Sequence, residues 1–154
     1  MKLAALLFAA VCVFASLPAR AATPATQAAP AAKTAIEAVL VVASKAPGKA
    51  DPRLAAYDAT LRRVLRFESF QYLGLGRAAL TIPGEGSLDI GGGQRLELKT
   101  TTAADQRLRV QVSWFDGPRA LMNTGLVLRP GVPAVLGGPA RADGEVYAVI
   151  LTAN

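Results

Sequence analysis

From Arg107 to Trp114 the chain alternates without a break. Leu108, Val110, Val112 and Trp114 are apolar, and Arg107, Arg109, Gln111 and Ser113 are polar. A period of two marks an antiparallel strand with one buried and one wet face. The stretch RLELKTTT repeats the pattern, with Leu96 and Leu98 set against Arg95, Glu97 and Lys99, and TAADQ joins the two as a hairpin. Further strands are expected at Phe67–Leu73, in RAALTIP and GSLDI around the PGEG turn, in ALMNTGLVLRPG after the FDGP turn, and in EVYAVILTA at the end. The segment VPAVLGGPARADG connects the last two.

The period differs near the start. Ala35–Ser44, AIEAVLVVAS, is an almost continuous Val-rich apolar run, which suits a strand buried on both faces. After KAPGKA, Asp51 and Pro52 supply an N-cap and a first helical residue. Leu54, Tyr57, Leu61, Val64 and Leu65 then recur at three and four, as one apolar helical stripe. Arg53, Asp58, Arg62, Arg63 and Arg66 fall largely off it, and the C-terminal arginines suit the helix dipole. The expected fold is α+β: mainly an antiparallel sheet or small sandwich, with one amphipathic helix packed on it. The first strand, helix and second strand are compatible with a right-handed crossover.

The N-terminus adds a targeting signal. Lys2 precedes the apolar run Leu3–Leu17, and PARA places Ala19 and Ala21 as a small-residue exit. This is the layout of a secretory signal peptide cleaved after Ala21, and the run is short for a membrane span. The expected organisation is a signal peptide over 1–21, a flexible Ala/Pro/Thr-rich leader over 22–34, and one β-rich domain over 35–154. The product is expected in the periplasm or outside the cell, with no transmembrane segment in the mature chain.

Composition then narrows the chemistry. Of 17 basic residues, Lys2 and Arg20 leave with the signal, and all 11 acids remain, so the mature chain carries +4. That excess suits acidic envelope surfaces and is too small for a nucleic-acid footprint. The one cysteine, Cys12, also leaves with the signal, so the domain folds without a disulfide. No histidine occurs, which excludes His-based triads, Cys–His pairs and His-containing zinc sites. Ser44, Ser69, Ser87 and Ser113 lie in no catalytic motif, and the acids are scattered singly. No catalytic, cofactor or metal residue is assigned.

Two glycine motifs fail their context tests. GLGRAA, Gly74–Ala79, matches a dinucleotide fingerprint formally but leads into LTIPGEG, which blocks the required helix. GGGQ, Gly91–Gln94, reads as a turn between strands. Trp114, Phe115, Tyr72 and Phe70 are candidates for a sugar-stacking platform, but Trp114 ends an alternating strand on its apolar face, so core packing is the better account.

The arrangement VLVVASKAPGKADPRL, LRRVLRFESFQYLG and the closing GVPAVLGGPARADGEVYAVILTA resembles an uncharacterised family of small secreted bacterial proteins. The closing GVPAVLGGP and YAVILTA are also similar to terminal strands in β-rich modules of bacterial secretion channels. The resemblance implies export and a β-rich fold, and it brings no activity with it.

The functional expectation is a non-catalytic exported envelope protein that contacts another envelope protein. The alternative is a binding module for an acidic glycan or lipid headgroups, with no nucleic acid as partner. A hydrolase using carboxylates alone comes third. The residues singled out for partner binding are Arg62, Arg63 and Arg66.

Overall fold

The computed structural model describes residues 32–101, 105 and 107–154. The expected signal peptide, most of the expected leader, and most of the TAADQ segment lie outside them. Eight strands form two four-stranded antiparallel sheets. In chain order they are β1 (Ala32–Ser44), β2 (Ser69–Ile82), β3 (Gly84–Gly91), β4 (Gln94–Thr101), β5 (Leu108–Asp116), β6 (Arg119–Leu128), β7 (Ala134–Ala140) and β8 (Val146–Ala153). The first sheet runs β2-β1-β8-β7 and the second β3-β4-β5-β6. The fold is the expected β-rich α+β arrangement, realised as a sandwich.

β1 is buried on both faces, as its continuous apolar run requires. Ile36, Ala38 and Leu40 face the second sheet and join Leu96, Leu98, Val110, Val112 and Trp114 in the main core. Val39, Val41 and Ala43 face the other way and are covered by Leu54 and Leu61. The covering element is a 3-10 turn, Pro52–Leu54, followed by the helix α1, Asp58–Val64. Asp51 caps the turn by accepting from the Arg53 N–H at 3.0 Å. The phenol of Tyr57 donates to Glu37 of β1 at 3.3 Å and fixes the cover to the sheet.

Four sequence expectations change. β1 and β2 are antiparallel neighbours, so the chain between them is a covering excursion and forms no crossover. Val64 is 51% exposed: it is the last residue of the seven-residue helix α1, in which Leu61 is the buried position. Phe67–Leu73 and RAALTIP merge into the single strand β2, and Gly84–Gly86 of PGEG already belong to β3. The segment read as a connection before the last strand contains β7.

The glycines explain two of these changes. A Cβ on Gly74 would overlap the Ile90 carbonyl, and one on Gly76 would lie 2.5 Å from the Asp89 carbonyl. GLG is therefore where β2 presses on the backbone of β3 and closes that side of the sandwich. In β7 a Cβ on Gly138 would run into the six-membered ring of Trp114. GGGQ is a tight β3–β4 turn in which Gly91, Gly92 and Gly93 all have positive φ.

Candidate functional site

The three singled-out arginines fall at one end of the sandwich, but they are not equivalent. Arg62 is committed internally: its Nε donates to Asp58 at 2.9 Å and its Nη1 to the Glu68 carbonyl at 3.1 Å. Its guanidinium lies 5.8 Å from the centroid of Phe70. Arg63 and Arg66 are exposed and make no ion pair among the described residues.

The start of β2 brings further cations to the same place. The Glu68 N–H donates to the Ser44 carbonyl at 3.0 Å, and the Ser69 hydroxyl donates to the Ala46 carbonyl at 2.9 Å. These two bonds hold the loop carrying Lys45 and Lys49 beside the end of α1. The Tyr72 N–H donates to Asp51 at 3.3 Å, and Arg53 lies over the Tyr72 ring at 4.2 Å. Asp51 also pairs with the Arg53 guanidinium at 2.8 Å. The Asp51 carboxyl is held at about 2, from 3.8, chiefly by the side-chain hydrogen bonds from Arg53, with backbone N–H groups of Arg53 and Tyr72 adding to the effect.

The charge arithmetic is lopsided. Residues 45–66 contain Lys45, Lys49, Arg53, Arg62, Arg63 and Arg66 against Asp51 and Asp58. Their net +4 equals that of the whole chain from 22 to 154, whose other nine basic and nine acidic residues cancel. Asp51 neutralises Arg53 and Asp58 neutralises Arg62. That leaves Lys45, Lys49, Arg63 and Arg66, all exposed, with Glu68 close by in the chain; the Ala43–Val146 register brings the β7–β8 turn to the same end of β1, where Asp143 and Glu145 pair with Arg141. Sequence reasoning found the arginines and missed the lysines; a charge count over the 22 residues from Lys45 to Arg66 would have found them.

A second surface is the outer face of the β3-β4-β5-β6 sheet. Register places Ser87, Glu97, Ser113 and Asn123 in one cross-strand row, and Glu85, Lys99 and Gln111 in the next. They line a depression of about 550 Å³. Gln111 donates to Asn123, and Asn123 donates to Ser113 at 3.0 Å. Lys99 pairs with Glu85 at 2.6 Å, and Arg95 with Glu97 at 3.1 Å. A carboxylic acid that donates a proton near neutrality needs a raised pKa. Lys99 instead pulls Glu85 below its ordinary range.

No family model, curated protein or solved structure matches this chain. The functional reading therefore rests on the residues themselves. Among the described residues no group of three or more acidic, His or Cys side chains is placed to hold a metal, and no helix is long and apolar enough to cross a membrane. The aromatic candidates separate. Trp114 is fully buried and Phe70 packs under α1, whereas Phe115 stands on the polar face beneath Arg95, at 5.2 Å. GLGRAA lies within β2, away from any helix start.

Proposed function

We propose that the protein is a non-catalytic exported envelope module that docks on an acidic partner through its cationic end. One observation carries this reading: the entire net charge of the chain beyond the signal peptide is gathered in residues 45–66, and four of those cations are left without an acidic partner. The internal pairs Asp51–Arg53 and Asp58–Arg62 are already made, and the surplus stands outside them. The partner class is an acidic surface in the envelope, presented by another protein, a glycan or lipid headgroups.

The polar sheet face supports a hydrolase weakly. Its two carboxylates, Glu85 and Glu97, are each held by a cation and lie open to solvent.

The test is retention on immobilised heparin and on immobilised poly-glutamate, with and without Arg63→Gln, Arg66→Gln, Lys45→Gln and Lys49→Gln together. The proposal expects salt-sensitive retention that the quadruple variant loses. Retention unchanged in that variant would count against it. Cross-linking in envelope extract should give an adduct through Lys45 or Lys49.

A further inference from the structure

Resting on that docking reading, we infer that the acidic surface is an anionic lipid headgroup layer, met by the loop 45–49 and the end of α1 together. Three observations favour a bilayer over an acidic chain or a protein cleft.

The free cations come from two separate segments on either side of Glu68–Ser69, one from the loop after β1 and one from the end of α1. The depression on the second sheet, and a smaller one beside Ala35, Glu37 and Arg77, contain none of them. Four long cationic side chains spread over one end fit a broad layer of negative charge better than a single bound strand.

The second observation is Val64. It is half exposed, between Arg63 and Arg66, while its neighbour Leu65 packs into the cluster under α1. An apolar side chain flanked by cations is the pattern of an interfacial contact, in which the charges meet headgroups and the apolar group enters the boundary beneath them.

The third is placement. The chain enters β1 at Ala32, and the cationic loop leaves it at Ser44. At about 3.3 Å per residue the two ends of β1 are about 40 Å apart. The docking end is thus remote from the point where the leader joins the domain.

The experiment is co-sedimentation of the whole mature chain with phosphatidylglycerol–phosphatidylcholine vesicles and with pure phosphatidylcholine vesicles. Soluble heparin and poly-glutamate serve as comparison probes, and far-UV circular dichroism checks each variant's fold. Binding to the anionic vesicles alone is expected, falling as salt rises. Each of Arg63→Gln and Arg66→Gln should lower the partition coefficient about 5-fold. Val64→Ser should lower vesicle binding while leaving heparin binding unchanged. Binding to heparin or poly-glutamate without vesicle binding overturns the lipid inference and leaves the docking reading standing. Binding to none of the probes overturns both. Vesicle binding indifferent to Val64→Ser overturns the proposed contact of α1 with the bilayer.

Discussion

Arg62 leaves α1 to meet the backbone of Glu68, with its Nη1 3.1 Å from that carbonyl oxygen, while its Nε stays on Asp58. One side chain therefore ties the helix to the residue just before β2, and the two arginines that follow it, Arg63 and Arg66, are left outside. Arg62→Ala should cost about 1 kcal/mol of stability, from the lost carbonyl bond and the contact with Phe70. Arg63→Ala and Arg66→Ala should stay within about 0.5 kcal/mol of the parent. Urea unfolding of the three variants checks this. Equal losses at all three positions would contradict the division into one structural and two free arginines.

Trp114 and Gln94 give the second prediction. The buried indole N–H donates to Gln94 Oε1 at 2.9 Å, and Nε2 of the same amide has no hydrogen-bond partner among the described residues. Gln94→Leu should cost about 1–3 kcal/mol, because it strands the indole N–H in the core. In a Trp114→Phe background the same change should cost much less, since no donor remains to be stranded. A double-mutant cycle by denaturant unfolding measures the difference.

Adjacent glycines in β7 give the third. Gly138→Ala places a methyl group against the Trp114 ring and should destabilise by about 1–3 kcal/mol. At Gly137 the new methyl would meet only Leu65 Cδ2, at an ordinary 3.8 Å, so Gly137→Ala should be close to neutral. Thermal unfolding of the pair distinguishes them, and equal effects would contradict the ring contact.

Acid should act through Asp51. Its carboxyl is held at about 2 in the folded chain, from 3.8, with the Arg53 side-chain hydrogen bonds as the largest cause. A depressed folded pKa favours the ionised form on folding. The resulting stabilisation is complete above about pH 4 and disappears as pH falls toward about 2. Melting temperatures of the parent and Asp51→Asn should therefore differ above about pH 4 and approach each other toward about pH 2. A gap that stays constant across this window would contradict the assignment.

Much of the fold was legible in the sequence because burial imposes a period on each strand. β4 and β5 were readable from Leu96 to Trp114, and β1 from its unbroken Val-rich run. The period says which face of a strand is buried; it does not say which strand lies alongside. Hence β1 and β2 were compatible with a crossover and are in fact antiparallel neighbours. Gly74 and Gly76 fall between two expected strands, and Gly137 and Gly138 in an expected connection. At Gly74, Gly76 and Gly138 the missing side chain admits the Ile90 and Asp89 carbonyls and the Trp114 ring, contacts made only in the folded chain. Val64 misled because a spacing of three and four assumes that the helix continues, whereas α1 ends at Val64 and the chain is extended at Leu65. The arginines of the candidate site were visible as a cluster, whereas their division into tied and free needed the position of Glu68. Lys45 and Lys49 flank Pro47–Gly48 upstream of α1 and are brought in by the bonds of Ser44, Ala46 and Ser69.

The central claim is that an acidic partner meets the Lys45–Lys49 and Arg63–Arg66 end. Its most direct test is the change in backbone amide resonances when the isotope-labelled mature chain is titrated with an anionic probe such as phosphatidylglycerol-containing nanodiscs. The account predicts shifts and broadening confined to residues 44–54 and 61–72. Changes centred instead on residues 85–87, 97–99, 111–113 and 123 would contradict it and move the binding face to the polar sheet.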